Sequence, residues 1–144
     1  MRCYVFDIDG TLADITHRLP FIQKEPKDWD AFFDACSEDK PIQHMIEVAR
    51  TLYRCDAVVF VSGRAERCRK KTEVWLMEHL WFSNRLYMRG NGDHRPDNEV
   101  KSELLDQLLA DGYEPQLVFD DRKVCVDFWR SRGIPCAQVA PGDF

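Results

Sequence analysis

The stretch Cys3-Tyr4-Val5-Phe6-Asp7-Ile8-Asp9-Gly10-Thr11 decides how this chain is read. Cys3 to Phe6 is too continuous in apolar character for a strand with one wet face. It reads as a strand buried on both sides in a parallel sheet. The strand runs directly into two aspartates separated by one residue, followed by a glycine that permits close backbone approach. In an open parallel sheet the ligand site lies outside the carboxyl ends of the strands. Asp7 and Asp9 therefore stand where such a site is expected.

The pattern recurs along the chain. Ala57 to Val61, Leu86 to Met88, Leu117 to Phe119 and Ala137 to Ala140 read as four more buried strands, and two of them also end in polar clusters. These are Ser62-Gly63-Arg64 and Asp120-Asp121-Arg122. Between the strands, Ile42, Met45, Ile46, Ala49 and Leu52 form one helical stripe, Val100, Leu104, Leu108 and Leu109 a second, and Cys125, Phe128 and Trp129 a third. Gly112 and Gly133 fall at expected helix ends. The class is α/β, with helices packed on a parallel sheet.

Residues 13–40 break this rhythm between the first strand and the first core helix. Trp29, Phe32, Phe33 and Cys36 recur there at helical spacing, which predicts a small helical cap with its own core, in preference to rings that stack on a base. The 144 residues have the length of one domain carrying this insertion.

Composition narrows the function. No apolar run approaches the roughly 18 residues needed to cross a bilayer, so a soluble, cytoplasmic protein without a membrane partner is expected. Six cysteines without a Cys-x-x-Cys pair read as reduced, mostly buried thiols. The histidines show no zinc-ligand spacing. A net charge of -5 argues against a protein that grips long duplexes by general electrostatic attraction.

Asp7, Asp9, Asp120 and Asp121 brought to one sheet edge would repel one another, and a bound Mg²⁺ resolves the conflict because it takes hard oxygen ligands together with a substrate phosphate. Asp7 is then the natural nucleophile toward phosphorus, with Asp9 as acid toward the leaving oxygen and base toward water. Thr11 offers a hydroxyl contact. Ser62, Arg64 and Lys101 supply donors and positive charge for the phosphoryl oxygens.

Other readings stand beside these. Asp120 and Asp121 can cap the following helix, and Asp97 can be an N-cap. Arg64 can open a solvated basic helix face with Arg67, Arg69, Lys70 and Lys71. Lys70 or Lys71 can replace Lys101, although the spacing ahead of Asp120 favours Lys101.

The order Asp-x-Asp-Gly-Thr, Ser, Lys, Asp-Asp resembles the haloacid dehalogenase (HAD) superfamily of phosphotransferases over essentially the whole chain. The resemblance implies a three-layer Rossmann-like fold with strand order 5-4-1-2-3, aspartyl-phosphate chemistry, Mg²⁺, and a cap after the first strand. Val59-Phe60-Val61-Ser62-Gly63-Arg64, Gly92-Asp93-His94-Arg95-Pro96-Asp97 with Val100-Lys101, Phe119-Asp120-Asp121-Arg122 and the run Gln138 to Phe144 are similar to the 3′-phosphatase domain of bacteriophage polynucleotide kinase.

That closer resemblance implies a polynucleotide 3′-phosphatase of DNA or RNA end repair, working beside a separate kinase or ligase in the cytoplasm, of the host if phage-encoded. It implies Asp7 as nucleophile, Asp9 as acid and base, and Lys101 as the superfamily lysine. Arg18, Ser62, Gly63, Arg64 and Asp97 match further substrate-site positions. Asp120 and the Asp9 backbone carbonyl join Asp7 as metal contacts, and Asp121 orders either the ion's hydration or Lys101. The segment from Arg64 to Trp75 is shorter than the family's and the cap diverges. No Gly-x-x-x-x-Gly-Lys-Ser/Thr phosphate loop occurs in these residues, so no kinase activity is expected of them.

Two competing functions remain, a phosphatase of small phosphomonoesters such as nucleoside monophosphates, and a non-catalytic binding module. The intact Asp7, Asp9, Lys101 and Asp120 argue against the second.

Overall fold

The computed structural model describes every residue of the chain except Asn84. Among the described residues seven strands and five α-helices follow in chain order: β1 (Arg2–Phe6), β2 (Ala13–Asp14), α1 (Trp29–Asp34), β3 (Lys40–Pro41), α2 (Gln43–Tyr53), β4 (Ala57–Ala65), α3 (Arg69–Leu80), β5 (Leu86–Arg89), α4 (Asp97–Ala110), β6 (Glu114–Asp120), α5 (Lys123–Ser131) and β7 (Cys136–Gln138). Five of the strands form one parallel sheet in the order β5-β4-β1-β6-β7. Counted over these five alone, the order is the expected 5-4-1-2-3.

Strand alternation divides the core in two, because successive side chains point to opposite faces. Phe6, Val58 and Phe60 face a layer with Met45, Ile46 and Ala49 of α2 and Trp75, Leu76 and Leu80 of α3. Cys3, Val5, Val59, Val61 and Val118 face the other, filled by Val100, Leu104 and Leu108 of α4 and Cys125, Val126 and Trp129 of α5. With both faces covered, the continuous apolar strands are explained and the architecture is three-layered. All six cysteines are free and only Cys55 is exposed. Among the described residues no helix is long and apolar enough to cross a membrane.

Two boundaries differ from the expectation in ways that matter for the site. β4 runs to Ala65, so Ser62, Gly63 and Arg64 lie inside the strand and not beyond its end. The register with β5 slips between Ser62 and Ala65, where Ser62 opposes Met88 and Ala65 opposes Arg89. Such a bulge re-aims side chains, and here Arg64 turns inward, 1% exposed. The solvated-face reading of Arg64 is thereby corrected. The basic helix begins only at Arg69, where Lys71 reaches the Asp34 carbonyl at the surface.

The residues between β1 and α2 are joined at their base by the antiparallel pair β2 and β3. Asp28 caps α1 by accepting from the Ala31 N–H at 3.0 Å, and Phe32 and Cys36 are buried while Trp29 is 46% exposed.

Candidate active site

Asp7 and Asp9 leave the end of β1 at the centre of the sheet. The backbone then folds back at once, the N–H groups of Thr11, Leu12 and Ala13 all donating to the Ile8 carbonyl. Gly10 takes φ +81°, and a Cβ there would lie 2.1 Å from Asp121 Oδ2. Only glycine fits this turn against the second acidic loop.

Asp7, Asp120 and Asp121 gather so that one carboxylate oxygen from each lies within 4.8 Å of the others. Lys101, at the second turn of α4, places Nζ 2.9 Å from Asp7 Oδ1 and 2.8 Å from Asp120 Oδ2. The Trp129 indole N–H donates to the same Asp120 oxygen at 3.0 Å. Thr11 Oγ1 donates to Asp7 Oδ2 at 3.3 Å and lies 3.5 Å from Asp121 Oδ1. Its hydroxyl thus serves the carboxylates directly.

Three carboxylates face one ammonium here, and their titration reflects it. Burial and the Asp120 charge push Asp7 well above the usual carboxylate range, against the pull of Lys101. Burial pushes Asp121 up to about 6. Burial would lower the Lys101 ammonium, but Asp120 and Asp7 outweigh it and hold it firmly protonated. Asp121 Oδ2 is buried with no hydrogen-bond partner. An excess of negative charge with an orphaned carboxylate oxygen fits a hard divalent cation, so the residues present suit a metal.

The Asp9 carboxylate turns away from this cluster. Its Oδ1 accepts from Arg18 at 2.7 Å and from Arg64 Nε at 2.8 Å. Burial pushes Asp9 up, yet the two guanidiniums prevail and hold it below the usual range. Both arginines are also gripped by Asp39, which accepts from Arg18 Nε and Nη2 at 2.8 Å and from Arg64 Nη2 at 2.9 Å. His17 Nε2 lies 2.6 Å from the same carboxylate. Arg64 further donates to Thr72 at 3.0 Å, and its N–H to Ser62 Oγ at 3.1 Å.

Above Asp7 and Asp9 opens a cavity of about 870 Å³. Gly63 and Lys101 line its floor and Asp97 its side, whereas Arg18, Arg64, Ser62 and Thr11 do not reach it. Asp97 is the first residue of α4, but that helix has no side-chain cap. Its two oxygens accept instead from Arg89 and Arg122, so the N-cap reading is corrected. Asp120 likewise caps no helix turn, since its Oδ1 accepts from the Asp121 N–H ahead of α5. Lys101 meets Asp7 and Asp120, not Asp121.

The full chain, residues 1–144, matches the family model of the polynucleotide kinase PNKP phosphatase domain. The chain belongs to this HAD phosphatase family. It is 31% identical over 137 residues to a protein named "Putative bifunctional polynucleotide kinase/RNA ligase" of Autographa californica nuclear polyhedrosis virus, covering 93% of this chain and 18% of that protein. A solved Pnkp1/Rnl/Hen1 RNA repair complex contains a similar chain, with TM-score 0.85 and 29% identity, covering 99% of this chain and 43% of that one. The class C acid phosphatase of Bacillus anthracis with tungstate bound shares the fold, with TM-score 0.64 at 12% identity over 98% of this chain and 69% of that one. The chain therefore spans less than half the length of the first two relatives.

Within this PNKP phosphatase family fold, several participants escaped the sequence reading, among them Trp129, read only as a core residue. Asp39 carries no local signal beyond being an acidic residue before Lys40-Pro41. Arg89 and Arg122 hold Asp97; Arg89 closes β5 and Arg122 stands two residues past β6, and their placement by buried strands was the one available sign.

Proposed function

We propose that this chain is a Mg²⁺-dependent polynucleotide 3′-phosphatase of nucleic-acid end repair, working through an aspartyl-phosphate on Asp7. The observation that carries the reading is the buried trio Asp7, Asp120 and Asp121, three carboxylates against one lysine, of which Asp7 lines the cavity and the other two lie buried beneath it. Asp7, Asp120 and Asp121 would hold the ion. Mg²⁺ in that place supplies Lewis-acid stabilisation of the phosphoryl oxygens and neutralises the carboxylates.

Asp7 is oriented for attack by Thr11 on one oxygen and Lys101 on the other. Its carboxylate bonds to phosphorus as the bond from phosphorus to the 3′ oxygen breaks, and that oxygen takes its proton from Asp9, which must first gain one from solvent against the pull of Arg18 and Arg64. Water then attacks the phosphoryl group, Asp9 takes the proton back, and Asp7 is released with inorganic phosphate. Arg18 and Arg64 both occupy Asp9 Oδ1, which assigns the proton transfers to Oδ2. From their position behind Asp9, the two arginines orient the acid and base, while Lys101 meets the developing phosphoryl charge.

The relatives support the polynucleotide target, since one is named for polynucleotide kinase and RNA ligase and another sits in an RNA repair complex. A separate kinase or ligase is the corresponding partner, the cytoplasm the corresponding compartment, and residues 13–40 the cap over the site. Phosphate release from a 3′-phosphorylated oligonucleotide, measured with Mg²⁺ beside a panel of nucleoside monophosphates, tests the reading. Preference for the oligonucleotide is expected. A large preference for free nucleotides would replace it with a small-metabolite phosphatase, and no release from either would leave a binding module.

A further inference from the structure

The cavity above Asp7 is far larger than a phosphoryl group needs. It continues from the carboxylates to a wall formed by Trp29, Phe32 and Phe33 of α1 with Leu19 and Ile22 beside them. Trp29 is 46% exposed although it is the bulkiest residue of the wall, and its neighbour Phe32 is only 4% exposed. The Trp29 ring is edge-on to Phe32 at 5.7 Å and near-parallel to Phe33 at 6.0 Å and 28°. The indole is thus held by packing while much of it stays open.

Cations border this wall. Lys27 Nζ lies 5.9 Å from the Trp29 ring and the Arg67 guanidinium 5.5 Å from Phe33. Arg67 is itself anchored, pairing with Asp30 of α1 at 2.8 Å and donating its backbone N–H to Asn91 Oδ1 at 2.9 Å. The wall is therefore tied across the cavity to the loop after β5. A fixed aromatic surface edged with positive charge is how proteins hold a base and its backbone without reading sequence.

We propose that Trp29 is the stacking platform for the nucleobase of the terminal nucleotide that carries the 3′-phosphate, with Lys27 serving the adjoining backbone phosphate. The inference rests on the polynucleotide phosphatase reading and deepens it. The enzyme recognises the presence of a terminal base and tolerates any base, because every base has a π face.

The test compares two single-stranded oligonucleotides ending in a 3′-phosphate, identical except that one bears an abasic terminal unit. Wild-type protein with Mg²⁺ is expected to favour the base-bearing end by roughly tenfold to a hundredfold in kcat/KM, expressed in KM. Trp29→Ala and Trp29→Leu should both collapse that ratio toward one, and Trp29→Phe should keep most of it. Leucine preserves the apolar packing, so the pair separates stacking from folding, with the melting temperature as a check. A ratio that survives in Trp29→Leu, or a wild-type enzyme indifferent to the terminal base, overturns the stacking platform and leaves the phosphatase reading standing. A wild-type protein that hydrolyses neither oligonucleotide takes both down.

Discussion

Arg18 and Arg64, from opposite sides of a 46-residue separation in sequence, donate to the same oxygen of Asp9, at 2.7 and 2.8 Å. Two guanidiniums that share one acceptor would repel each other without a second counter-charge. Asp39, fully buried on its side-chain atoms, supplies it by binding both. The acid and base of the proposed reaction is thus set by a four-residue network of alternating charge.

Asp39→Asn should therefore act on catalysis from a distance. Removing its charge leaves two buried guanidiniums under-compensated, at a cost of about 3–5 kcal/mol in stability. Misplacing Asp9 should lower kcat on the order of 10²-fold with a smaller change in KM. Steady-state kinetics together with urea unfolding would measure both, and an unaltered kcat would show that the network only supports the fold.

Asp7→Asn separates chemistry from structure. The substitution removes one of three crowded carboxylates, so the melting temperature should stay level or rise. Turnover should fall on the order of 10³-fold or more, as for other nucleophile removals. Residual phosphate release within tenfold of wild type would refute covalent catalysis by Asp7.

Lys101→Met should be costly in a specific way. Lys101 is 2% exposed and pairs with both Asp7 and Asp120. Losing it leaves buried carboxylates unpaired, a penalty of about 3–5 kcal/mol. Millimolar Mg²⁺ should restore part of that loss, seen as a metal-dependent rise in unfolding midpoint larger than in wild type. Equal midpoints with and without metal would sever Lys101 from the ion site.

Metal binding should stabilise the wild-type protein, by about 2.7 kcal/mol at a Mg²⁺ concentration 100 times the dissociation constant. The effect should grow as pH rises through about 6. Burial holds the Asp121 proton up to that pH, and the ion requires the carboxylate. The sign reverses for the metal-free protein. A raised carboxyl pKa stabilises the fold fully below the unfolded value and loses that contribution as pH rises through about 6. Thermal melts across pH with and without Mg²⁺, repeated on Asp121→Asn, would reveal both trends in wild type and weaken them near pH 6 in the variant, where only Asp7 still titrates high.

The strand-end aspartates and the α/β class were determined by sequence alone, because burial on two faces writes continuous apolar runs into β1 and β4, and Gly10 marks the turn that follows; the strand order came only with the superfamily resemblance. Lys101 was legible too, through its helix ahead of Asp120. What only the tertiary structure decided are partnerships between residues far apart in the chain, which leave no local pattern. Asp39 reaches Arg18 across 21 positions and Arg64 across 25, and nothing in Glu38-Asp39-Lys40 announces it. The bulge in β4 sends Arg64 behind Asp9, and the aromatic spacing of α1 favoured a closed core, whereas Trp29 stays open. Periodicity reports which side of an element is apolar. Only the packing of α1 against residues Thr16–Phe21, with the Arg18 guanidinium 4.4 Å over the Phe32 ring, determined that Phe32 would be covered and Trp29 left open above the carboxylates.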